Sequence, residues 1–188
     1  MEFNELATLI HTKNIEAGWW DNNPCVITKL QLVNTEIAEA TEGERKDMMD
    51  DHLPTRKMGE VELADALIRM LDLGGKMGWT YSPELHGAMT SDIADLYGRL
   101  ENVASRHGML TFINSGLLFG TLLSIDDTDD DKVLGFNETY TCFIVYLMAT
   151  AEIEGYDIEG ALYEKLEYNE MRADHKPENR ATVNGKRF

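Results

Sequence analysis

Hydrophobic positions recur at helical spacing along most of the chain, and the alternation expected of strands is scarce. Leu6, Leu9, Ile10 and Lys13 fall on one stripe, predicting a first helix from about Asn4 to Ala17 that Gly18 stops. Pro24 sits where a helical first turn tolerates proline, and Val26, Ile27, Leu30, Val33, Ile37 and Ala40 make the apolar face of a second helix. A polar connection from Arg45 to Met58, with Pro54 inside it, leads to a third helix from about Gly59 to Leu73, closed by Gly74, Gly75 and Gly78. Ser82-Pro83-Glu84 supplies a cap and a first-turn proline for a fourth helical region ending near His107-Gly108. Met109 to Ser124 reads as a short buried helix, Asp126 to Asp131 as a solvated loop, and Phe136 to Ile153 as another largely apolar helix. Asp157 caps a last helix carrying Leu162, Leu166 and Tyr168, and the tail from Asp174 has no helical pattern. The pattern predicts an all-α helical bundle forming a single domain over residues 1–188.

The third helix is apolar almost all round: Val61, Leu63, Ala64, Ala66, Leu67, Ile68, Met70, Leu71 and Leu73 leave no solvent face, so it is expected to be buried. It nevertheless carries Glu62, Asp65 and Asp72 on one stripe. On the second helix Glu36 and Glu39 repeat the i, i+3 spacing, which points two side chains from one side of a helix. Spacing alone is weak, since 34 acids among 188 residues yield about six such pairs by chance. Context strengthens it: a buried carboxylate costs several kcal/mol unless a proton, a cation or a metal neutralises it. Arg69, four residues after Asp65, is placed to pair with it but cannot satisfy three acids. Oxygen donors without histidine or cysteine suit Mg²⁺ or Mn²⁺ rather than zinc. Solvated helix faces or ordinary ion pairs are the competing explanation.

Composition narrows the picture. With 17 basic and 34 acidic side chains the net charge is −17, which disfavours binding to a nucleic-acid backbone. Cys25 and Cys142 make neither a disulfide framework nor a metal knuckle, pointing to a reducing compartment. The longest nearly apolar stretch, Cys142 to Ala151, is too short to span a bilayer, and the N-terminus lacks a signal-peptide pattern. A soluble, cytoplasmic protein is expected, with no membrane or nucleic-acid partner.

The segment KLQLVNTEIAEATEGERKD, followed by ELADALIRMLDL, resembles the two-part acidic signature of the MazG-like all-α nucleoside triphosphate pyrophosphohydrolases, relatives of the dimeric dUTPases. The starting IHTKNIEAGWWD and the closing EKLEYNEMR and GKRF resemble the short, often phage-borne forms. The likeness covers roughly residues 3–80 and 156–188; residues 81–155 have no counterpart in the short forms and read as an insertion or a degenerate second half. An echo of Thr35-Glu36-Ile37-Ala38-Glu39 in Ser91-Asp92-Ile93-Ala94-Asp95 bears on the second alternative.

The resemblance implies that Glu36, Glu39, Glu62 and Asp65 hold two or more Mg²⁺ ions; Asp72 stands where relatives usually have asparagine. It implies hydrolysis of a (deoxy)nucleoside triphosphate to the monophosphate and pyrophosphate by metal-activated water at the α-phosphorus, with Glu36 or Glu39 accepting the proton. Substrate contacts are expected from Lys29, from one of Trp19 and Trp20 against the base, and from Asp72. Lys165, Asn169 and Arg172 share one face of the last helix, and the basic tail with Lys186 and Arg187 follows. Trp79 is expected in the core. A homo-oligomer, dimer or tetramer, is also implied, since relatives complete their bundles across subunits; the alternative is that residues 81–155 supply those helices within one chain. The alternatives are a dUTPase-like enzyme of narrow specificity and a non-catalytic acidic helical protein that mimics DNA. Asp127, Asp129, Asp131 and Glu138 match part of an EF-hand loop, but Lys132 stands where that loop needs glycine. The five histidines show no ligand spacing and default to surface or capped positions.

Overall fold

In a computed structural model the chain is all-α. The structure describes residues 1–172 apart from 22, 98 and 124–129, and at 90–92, 94 and 130–135 it describes the backbone alone. Among these residues seven helices follow one another: α1 (Phe3–Glu16), α2 (Val26–Lys46), α3 (Met58–Met77), α4 (Pro83–Tyr97), α5 (Val103–Leu123), α6 (Asp130–Glu154) and α7 (Ile158–Met171). An isolated bridge between Met49 and Lys57 closes the α2–α3 connection. No described helix is long and apolar enough to cross a membrane.

The helix apolar on all sides takes the centre. α3 packs against α1, α2, α6 and α7, while α5 lies across α2 and α6, and α4 leans on α6. From Gly59 to Gly74 every α3 residue is buried except Asp65 and Arg69. One hydrophobic core joins all seven helices, and the segment 81–155 feeds it through Ile93 and Tyr97 of α4, Leu110 and Leu117 of α5, and Tyr140 and Phe143 of α6. Trp79 belongs to this core, stacked on Phe136 with ring centroids 5.6 Å apart.

Two boundaries differ from the pattern-based reading. α3 does not stop at Gly74 and Gly75; it runs to Met77, and only Gly78 adopts the left-handed backbone (φ 70°) that ends it. Gly74 and Gly75 serve packing instead. A Cβ on Gly74 would collide with the Tyr140 ring, and one on Gly75 would lie 2.7 Å from the Ala7 carbonyl oxygen. The missing side chains let α6 and α1 close onto α3.

The fourth helical region is likewise two helices. α4 ends at Tyr97, and Asn102 starts α5 by accepting a hydrogen bond from Ser105 N (3.0 Å). Gly108 lies inside α5, so the stretch from Met109 continues a helix already begun. Asp157 caps α7 as expected, its side chain accepting from Gly160 N. α6 begins at Asp130, earlier than its apolar pattern suggests; most of the acidic loop, and with it Asp127, Asp129 and the Asp131 and Lys132 side chains of the EF-hand match, lies outside the described residues.

Candidate metal centre

α2 crosses the acidic stripe of α3, and Glu36, Glu62 and Asp65 come together there. Each presents a carboxylate oxygen within 4.8 Å of the others, with Glu36 and Glu62 buried. The burial follows from the pattern: Val33, Ile37 and Ala40 of α2 must seat against the apolar surface of α3, which carries Glu36 into the same seam. Glu39, expected as a fourth member, is exposed and stands outside the group. It follows Glu36 by three residues, about 300° around the helix, and that offset is enough to turn it past the contact line into solvent.

Two cations of the chain enter the seam. Arg69 Nε donates to Glu36 Oε1 at 2.6 Å, and Lys165 Nζ reaches from α7 to Asp65 Oδ2 at 2.8 Å. Arg69 therefore does not pair with Asp65 along its own helix. Lys165 is almost wholly buried, and it is not open to a phosphate as its place on the α7 face suggests. Three acids against two cations leave an excess of negative charge, and it falls on Glu62. Burial, then the charge of Asp65 and the adjoining Glu36 carboxylate, push its carboxyl up to about 9. Burial also raises Asp65, against the pull of Lys165. For Lys165 burial acts downward, but Asp65, Glu62 and Asp50 outweigh it and hold the amine above the ordinary lysine range.

A pocket opens beside the carboxylates. Lys29, Arg69 and Arg172 bring positive charge to its wall, and Trp19 an aromatic face. Asn14, Asn169 and Asp72 line it as well, and Asp65 belongs both to this lining and to the acidic group. Of the two adjacent tryptophans, Trp19 lines this pocket while Trp20 packs on the core and directs its Nε1 to Asp72 Oδ1 and Oδ2, at 2.9 and 3.2 Å. Lys29 Nζ lies over both indoles, 5.5 Å from Trp19 and 5.4 Å from Trp20. Asp72 also meets His11 Nδ1 at 2.7 Å. Lys186 and Arg187 lie outside the described residues.

Three polar residues escaped the sequence reading. His11 and Asn14 lie on α1 outside any acidic pattern, and only the docking of α1 onto α3 brings them to Asp72 and the pocket. His107 is not at the surface: it is buried between α5 and α2, where Nδ1 meets Thr41 Oγ1 at 2.9 Å. The one available signal was its place within a stretch of apolar helical spacing. The echo around Ser91 yields no second centre among the described side chains, since Asp95 is exposed and pairs with Arg99.

The donor set fits a hard divalent cation. Among the described residues three oxygen donors converge with no nitrogen or sulfur ligand beside them, and burial with two neighbouring carboxylates pushes the Glu62 carboxyl up to about 9. No protein-family model, curated protein or solved structure matches the chain.

Proposed function

We propose that this protein is a Mg²⁺- or Mn²⁺-dependent pyrophosphohydrolase of (deoxy)nucleoside triphosphates, releasing the monophosphate and pyrophosphate. The observation that carries the reading is the meeting of Glu36, Glu62 and Asp65 within 4.8 Å, next to a pocket walled by cations and an indole. Glu36, Glu62 and Asp65 would hold the metal; when bound, it supplies charge neutralisation for the triphosphate and acidifies water. Lys29 and Arg172 offer positive charge to phosphate oxygens from the pocket wall, and Asn169 an amide donor. Trp19 presents a flat face for the base, while Asp72, held by Trp20 and His11, fixes the pocket's far side. Glu36 is the carboxylate we assign as proton acceptor, because Glu39 faces solvent.

The test is a turnover panel over ribo- and deoxynucleoside triphosphates, dUTP included, with and without Mg²⁺, reading nucleoside monophosphate and pyrophosphate. Metal-dependent pyrophosphate release is expected, falling by roughly 100-fold or more in folded Glu36→Gln and Asp65→Asn variants and by less in Glu39→Gln. Activity on dUTP alone would narrow the reading to a dUTPase-like enzyme. Absence of turnover across the panel, with tight salt-sensitive binding to a DNA-binding protein, would replace it with the DNA-mimic alternative.

A further inference from the structure

Lys165 is an uncommon counter-ion. Its side chain is only 3% exposed, it crosses from α7 to α3, and its amine meets Asp65 Oδ2 at 2.8 Å inside the seam where the carboxylates converge. A lysine at the surface can retract into water when a competing cation arrives. Lys165 cannot, so any ion that takes Asp65 must leave the amine another carboxylate within the protein. One is present. Asp50, on the α2–α3 connection, is 4% exposed, and its Oδ1 accepts from His52 N at 2.9 Å and Leu53 N at 2.7 Å. Among the described residues no side-chain cation pairs with it, and after Asp65 and Glu62 it is the third carboxylate whose charge acts on Lys165.

We propose that Lys165 is a placeholder cation: a divalent ion entering the centre displaces its amine from Asp65, and Asp50 receives it. The idea rests on the metal reading above and adds an occupant that the ion must displace. Lys165 thus acts as a positioning residue. It keeps the acids of α2 and α3 together before the ion binds, and it sets the affinity at which the ion enters. Removing the lysine frees a ligand and takes away a like charge, so metal binding tightens. Removing the charge of Asp50 strands the displaced amine, so metal binding weakens.

Calorimetric titration of the full-length protein with Mn²⁺ and Mg²⁺ tests this in the wild type, Lys165→Met and Asp50→Asn. We expect about tenfold or tighter binding in Lys165→Met and about tenfold weaker binding in Asp50→Asn. Lys165→Met binding the ion no more tightly than the wild type, while the wild type binds normally, overturns the placeholder and leaves the metal centre standing. No saturable binding in any of the three overturns both. Should Lys165→Met fail to fold, NMR of lysine Cε–Hε signals in the ¹³C-labelled wild type serves instead, with Lys165→Arg to assign the resonance. A Lys165 signal that moves with Mg²⁺ and saturates supports displacement, and one that stays fixed while the metal binds refutes it.

Discussion

Arg69 Nε lies 2.6 Å from Glu36 Oε1, which ties α3 to α2 instead of closing a turn of α3. Asp65 is thereby left to Lys165, and the Glu62 carboxyl has no cation of its own at contact distance among the described residues. Burial and the two neighbouring acids favour a proton on Glu62, or added positive charge, in the seam. Glu62→Gln should therefore stabilise the metal-free protein, by about 1–3 kcal/mol at pH 8, because it supplies the neutral form without the proton. If Mg²⁺ or Mn²⁺ raises the melting temperature of the wild type, as the proposed metal centre requires, the same variant should lose that rise. Paired thermal melts with and without metal measure both effects, and a destabilised Glu62→Gln would contradict the charge accounting.

Trp20 anchors Asp72 through its indole N–H. Trp20→Phe keeps an aromatic ring on the core but removes the donor to Asp72, leaving that buried carboxylate with His11. A loss of about 1–3 kcal/mol is expected in urea unfolding. The loss should shrink in an Asp72→Asn background, where the partner carries no charge.

The glycines inside α3 are required by neighbours rather than by their own backbone. Gly75→Ala places a Cβ against the α1 backbone at Ala7, which cannot swing aside as a side chain can. It should cost about 1–3 kcal/mol despite alanine's better helix propensity. Gly87→Ala on α4 meets nothing within 4 Å and should be neutral or stabilising. Chemical denaturation of the two variants checks the contrast.

His107 makes stability depend on pH. Burial, and then the charge of Arg106, push its imidazole down to about 4 from 6.5. The folded protein holds it neutral while the unfolded chain protonates it near 6.5, so its contribution is complete above pH 6.5 and is lost as pH falls through 4. About 2–3 kcal/mol is at stake across that window. His107→Gln should flatten the profile between pH 7 and 4 relative to the wild type in denaturant titrations at fixed pH.

α5 carries no charged residue from Gly108 to Leu123, in a chain of net charge −17. On its outer side Phe112 is 74% exposed and Phe119 63%, with Leu122 and Leu123 beside them. Two copies of so acidic a chain repel least where neither presents charge, so this face is the expected contact if the chain self-associates. If the wild type self-associates, Phe112→Glu with Phe119→Glu should shift it to monomer in analytical ultracentrifugation. An unchanged distribution would remove this face from the assembly.

The acidic stripe of α3 was legible because a helix apolar on every side has no innocent place for a carboxylate. Glu62 and Asp65 stand out in the sequence for that reason, whereas Glu36 stands out only together with Glu39, by the i, i+3 spacing and the resemblance. Glu39 shares the spacing but not the surroundings: a step of three residues around a partly exposed helix separates a buried side chain from a solvated one. The α4–α5 break was missed because Asn102 announces a new helix only if one reads a cap in the middle of a periodic pattern.

What the sequence determined by itself is local or periodic: helices from 3.6-residue spacing, the Asp157 cap, the burial of α3 and the oxygen character of its acids. The tertiary structure decided the partners. That Arg69 serves Glu36, that Lys165 from the far end of the chain neutralises Asp65, and that His11 and Trp20 grip Asp72 all depend on how separate helices dock. Docking is set by the summed fit of many apolar side chains and by glycines such as Gly74 and Gly75 that permit close approach. No single stretch of sequence carries that sum.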